Sequence, residues 1–132
     1  MNPLHQAYGT DNLTMLTDFY ELTMANGFLQ NGLGDPIAYF DMFSRHIPDG
    51  GGMAIMAGVE QVVSYLRHLS FTEEDIAYLR SRRLFGEDFL AYLRDFRFTC
   101  DVWAVPEGTP IFPHEPIVTV RGPGIQAQFI ET

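Results

Sequence analysis

The chain of 132 residues contains no lysine at all. That removes carrier modules that present a modified lysine on a hairpin, a reading otherwise open to the β-rich last third. Only eight arginines stand against 17 acidic residues, for a formal charge of −9. A nonspecific grip on nucleic acid or an anionic membrane needs clustered cations, so neither is expected as a partner. There is one cysteine, Cys100, and hence no internal disulfide. The start "MNPLHQAYGTDN" carries neither a basic leader nor a long apolar run, and no stretch approaches the ~20 apolar residues that span a bilayer. A soluble protein of the reducing cytoplasm is expected. What the chain does have is 46% hydrophobic and 14% aromatic residues, enough for one domain with one core.

Along the chain, Thr17 or Asp18 is placed to cap a helix opening at "FYELTMANGF". Phe19, Leu22 and Ala25 follow one stripe, and Tyr20, Met24 and Phe28 follow another at spacing four, so the helix is expected to be buried on two sides. "NGLGDP" stops it. "IAYFDMFSR", Ile37 to Arg45, alternates as a strand with both faces mostly covered. "MAIMAG" reads as a short strand. Val59, Val62, Val63, Leu66 and Leu69 then mark a helix. Thr72 and Asp75 form a cap for "EEDIAYLRSR", and "GEDFLAYLRDF" makes a further helix. From Phe98 the texture is β, with three or four short strands between Pro and Gly turns. "GIQAQFIET" opens a new helical pattern at Ile125 that stops at Thr132 without a cap, which reads as a cut inside a helix. Its Ile125, Phe129 and Ile130 are expected to lack a partner layer.

Few of these residues suit chemistry. His5, His46, His68 and His114 lack the spacing of a metal site, and no metal ligand is assigned. Cys100, in a predicted strand near Trp103, reads as a buried, inert thiol rather than a nucleophile. His68 faces the negative end of its helix, and "TEEDI" is a favourable acidic helix start rather than a catalytic pair. "PDGGGMA" lacks the GxxxxGK[ST] pattern of a phosphate loop and reads as a surface turn. Two residues remain: Tyr20, whose ring leaves the first turn of its helix, and Arg45, which ends a strand before the glycine loop. On the residues alone, a core-plugging tyrosine and a surface arginine stay open beside functional roles.

Three pieces, "MLTDFYELTMANGF", "AYFDMFSRHIPDGGGMAIMAGVEQVVSYL" and "VPEGTPIFPHEPIVTVRGPGIQAQFIET", stand in the order of motifs that open the nicotinate phosphoribosyltransferases. The chain resembles that family in register over nearly its whole length. The resemblance implies an α+β fold: the N-terminal domain of a type II phosphoribosyltransferase, with helices packed on a mixed or antiparallel sheet. The domain would occupy residues 1–132 and stop near the start of the α/β barrel. It also implies conversion of nicotinate and phosphoribosyl pyrophosphate to nicotinate mononucleotide and pyrophosphate in NAD synthesis, with Mg²⁺ and ATP serving the full-length enzyme and none expected on this chain alone. ATP coupling in the family runs through a phosphorylated histidine, a role given to none of the four here, and no residue of this chain is assigned as catalytic. Tyr20 matches a tyrosine that stacks on the substrate pyridine in the active site of a neighbouring subunit, which implies a homodimer with a shared site. Arg45 matches an arginine that helps hold substrate phosphate, and Thr17 and Asp18 are accounted for by capping. The alternatives are a nicotinamide-specific relative and a non-catalytic docking domain.

Overall fold

The computed structural model describes residues 12–132; His5 lies outside the described residues. Helix α1 spans Phe19–Gln30 and strand β1 Ile37–Met42, followed by a 3-10 turn at Pro48–Gly50, β2 at Ala54–Ile55 and three helices, α2 (Val59–His68), α3 (Glu73–Ser81) and α4 (Glu87–Arg94). Strands β3 (Asp101–Ala104), β4 (Pro110–Ile111) and β5 (Val118–Pro123) lead into the short α5 (Gly124–Gln128). One sheet has the order β1-β5-β3 and the other pairs β2 with β4. Both are antiparallel, so the fold is α+β with no parallel pairing in either sheet.

Local signals account for several of these elements. The Thr72 hydroxyl accepts from the Asp75 amide at 3.2 Å while the Asp75 carboxylate accepts from the Thr72 amide at 2.7 Å, the reciprocal cap that starts α3. In β5, Val118, Val120 and Gly122 point inward and Thr119, Arg121 and Pro123 are only partly covered, the period of two that a one-sided sheet demands. Helix α5 divides the interior: Ile125 and Phe129 enter a helical core with Leu22, Leu79, Leu90 and Phe96, and Ala127 enters a second cluster with Met56, Ile117 and Val120.

Four expectations are corrected. Helix α1 is buried on one side, not two: Glu21, Leu22 and Ala25 face inward, whereas Phe19, Tyr20 and Met24 stay exposed. A stripe at spacing four lies around the helix from the core-facing one, so only its far end, Phe28, packs on the core. Its start is also not capped as expected, since the Asp18 side chain makes no capping bond and the Thr17 hydroxyl instead donates to the Glu21 carboxylate. Strand β1 ends at Met42 and shows its outer face, with Ile37 and Tyr39 exposed, while Phe40 on the other face packs against the second cluster. Finally, Ile125 and Phe129 are buried rather than bare. The helical pattern closes after Gln128, and the Phe129 ring meets Phe71 and Phe96 edge-on at 5.6 and 5.4 Å.

Candidate functional site

The two residues singled out in the sequence lie on different segments, and no hydrogen bond, ion pair or ring contact joins them among the described residues. Tyr20 stands on the first turn of α1 with 44% of its surface exposed. The Glu131 carboxylate beside its hydroxyl, with Glu21 and Asp18 nearby, favours the neutral phenol, pushing it up to about 12. Beside it, Phe19 meets Phe85 edge-on at 5.8 Å and Met24 lies one turn along. The first turn of α1 therefore offers an apolar, ring-bearing face with an acidic rim.

Arg45 lies in the bend beyond β1, three residues past the strand's end, exposed and without a hydrogen bond or ion pair among the described residues. Its loop is nonetheless held. The His114 amide donates to the Ser44 carbonyl at 2.8 Å, the Ile117 amide to the Met42 carbonyl at 2.8 Å, and Phe43 packs against the His114 ring at 6.0 Å. His114 accepts a left-handed backbone, φ 66°, to make that turn. The segments "FDMFSR" and "FPHEP", some seventy residues apart, thus form one rim.

A third junction escaped the sequence reading. Glu107 of "PEGT" accepts from the amides of Gly58 at 2.9 Å and Val59 at 2.7 Å, so its carboxylate caps the N-terminus of α2. Gly58 sits at φ 104°, a conformation that favours glycine. The signal was there, an acidic residue in a turn and a glycine before a helix, but nothing local says that the two meet.

Other candidates keep their bland reading. Cys100 precedes β3 rather than lying within it, and burial, with Asp101 adjacent, pushes its thiol up to about 11, the opposite of an activated nucleophile. The His68 ring is 2.7 Å from the Ser64 carbonyl at the end of α2. Among the described residues no three His, Cys, Asp or Glu gather as a metal site. One surface cleft of about 770 Å³ runs between Leu29, Gln30, Phe89 and Tyr92, and another of about 440 Å³ lies on the outer face of the larger sheet at Tyr39, Trp103 and Arg121. Neither is lined by Tyr20 or Arg45.

Residues 15–132 match the family of the nicotinate phosphoribosyltransferase (NAPRTase) N-terminal domain. A nicotinate phosphoribosyltransferase of Mycobacterium tuberculosis is 43% identical over 118 residues, which cover 89% of this chain and 25% of the relative. The Bacillus subtilis enzyme of that name is 36% identical over 129 residues, 98% of this chain and 26% of the relative. The crystal structure of human nicotinic acid phosphoribosyltransferase superposes with a TM-score of 0.79 at 34% identity, covering 87% of this chain and 24% of that one. Helices on antiparallel sheets, in this order and with this likeness, define an N-terminal α+β domain of a phosphoribosyltransferase. The chain belongs to the nicotinate phosphoribosyltransferase N-terminal domain family. It spans about a quarter of the length of the curated relatives it matches.

Proposed function

We propose that this chain is the substrate-binding and dimer-forming N-terminal region of a nicotinate phosphoribosyltransferase, which joins nicotinate to the ribose of phosphoribosyl pyrophosphate in NAD synthesis. The observation that carries the reading is Tyr20: an aromatic residue in the motif that carries the resemblance, raised on the first turn of α1 with 44% of its surface exposed.

In this reading the nicotinate ring nitrogen forms a bond to the ribose carbon as the bond from that carbon to pyrophosphate breaks, and pyrophosphate leaves with the electron pair. Tyr20 stacks on the flat pyridine within the neighbouring subunit and holds it in line for attack. Arg45, free of any ion pair among the described residues, neutralises phosphate charge at the rim. Neither moves a proton. Mg²⁺ and ATP belong to the proposal for the full-length enzyme, and no residue of this chain is assigned to hold either. A cytoplasmic setting is part of the proposal; among the described residues no helix is long and apolar enough to cross a membrane.

The test is an assay of the complete protein with phosphoribosyl pyrophosphate and either base, beside purified residues 1–132. Turnover of nicotinate by the complete protein alone is the expected result. Preference for nicotinamide would move the protein to that specificity, turnover of neither base would leave a docking domain, and turnover by residues 1–132 would overturn the division of labour.

A further inference from the structure

Glu21, next to Tyr20, is fully buried, with 0% of its surface exposed. Burying a carboxylate is costly unless its oxygens are hydrogen-bonded, and an apolar residue at this core-facing position would avoid the cost. Both oxygens are used: one accepts from the Thr17 hydroxyl just before α1, and the other from the Thr132 hydroxyl at 2.6 Å. No ion pair to Glu21 is present among the described residues.

The bonds to Thr132 and its neighbours form a ladder. The end of α5 and the residues after it run back along α1, so that Thr132 meets Glu21 and the buried Gln128 donates to the Met24 sulfur at 3.4 Å. Apolar packing tolerates small rotations of a helix, whereas hydrogen bonds to a buried carboxylate have a direction. Two polar rungs therefore hold α1 at one rotational setting, and the half-exposed Tyr20–Met24 face is the face so set.

We infer that Glu21, through Thr132, is a positioning residue for Tyr20: it fixes the rotation of the first turn of α1 and so the plane that the tyrosine ring offers to the pyridine. This inference rests on the stacking role given to Tyr20 above.

The test uses the complete enzyme. Thr132→Val keeps shape and removes one donor; it should raise the KM for nicotinate about tenfold, the size of one lost bond to a charged group, with a much smaller change in kcat and in the KM for phosphoribosyl pyrophosphate. Thr132→Ser, which keeps the hydroxyl, should restore the KM. Glu21→Gln, a second and milder variant should the first not fold, should move the nicotinate KM in the same direction. In a Tyr20→Ala background Thr132→Val should add nothing, because the two act through one ring. An unchanged nicotinate KM in folded Thr132→Val or Glu21→Gln, or effects that add in the Tyr20→Ala background, would overturn the positioning role and leave stacking intact. An unchanged nicotinate KM in Tyr20→Ala itself would sink the stacking reading and this inference together.

Discussion

Gly122 of β5 lies so close under Cys100 that a Cβ added to it would stand 2.3 Å from the sulfur, inside any tolerable contact. The Cys100 Cβ and Cα would be met at 2.8 and 3.0 Å, so rotating the thiol does not relieve the overlap. Gly122→Ala should lower stability by roughly 1–3 kcal/mol or more, the usual cost of overpacking. Adding Cys100→Ala should recover only part of it, because the backbone contact persists. Thermal unfolding of the single and double variants decides this. Full recovery in the double variant would place the whole conflict at the sulfur.

The same thiol predicts a pH dependence. Burial favours its neutral form and raises it from 9.0 to about 11 in the folded chain. The unfolded chain therefore loses the proton first, so the contribution of Cys100 to stability is complete below about pH 9 and falls as pH rises toward 11. The difference in melting temperature between wild type and Cys100→Ala, followed from pH 7 to 11, should shift against the wild type above pH 9. A flat difference across that range would mean that the thiol is hydrated in the fold.

Arg45 has no described bond to lose, so Arg45→Ala should leave the melting temperature nearly unchanged, as for other surface sites. In the complete enzyme it should reduce the use of phosphoribosyl pyrophosphate about ten- to a hundredfold, the weight of a charge-assisted phosphate contact. If stability collapsed and the kinetics of the remaining folded enzyme stayed normal, Arg45 would be a structural residue of its loop.

For Tyr20 the contrast lies between two substitutions. Tyr20→Phe keeps the π face and gives up only the hydroxyl, so nicotinate use should fall modestly, whereas Tyr20→Ala removes the ring and should be severely impaired. Because the ring is assigned to the neighbouring subunit's site, mixing Tyr20→Ala with a variant dead at the barrel histidine should restore some activity in heterodimers. Equal damage from both substitutions, with no restoration on mixing, would put the chemistry at the hydroxyl within one subunit.

The start of α3 and the β texture were legible in the sequence because their causes are local. Thr72 and Asp75 are three residues apart and cap each other whatever the rest of the chain does. The alternation of β5 and the apolar spacing of α2 to α4 follow from periods of 2 and 3.6. Tyr20 and Arg45 were singled out from the motifs around them; the structure puts Tyr20 on the first turn of α1 and Arg45 in the bend beyond β1.

Tertiary contact decided which faces are covered. Tyr20, Met24 and Phe28 share one spacing, yet Phe28 packs on the core while Tyr20 and Met24 stay exposed. Ile125 and Phe129, which seemed to lack a partner, find one in α1 and in rings from Phe71 and Phe96. Nothing in the sequence around Glu21 or Glu107 sets either apart from the other acidic residues. Their roles depend on Thr132, 111 residues away, and on Gly58, 49 residues away. A periodicity shows which residues share a face, but the energy of burial or of a buried hydrogen bond belongs to the pair, and only the folded chain brings the second member to the first.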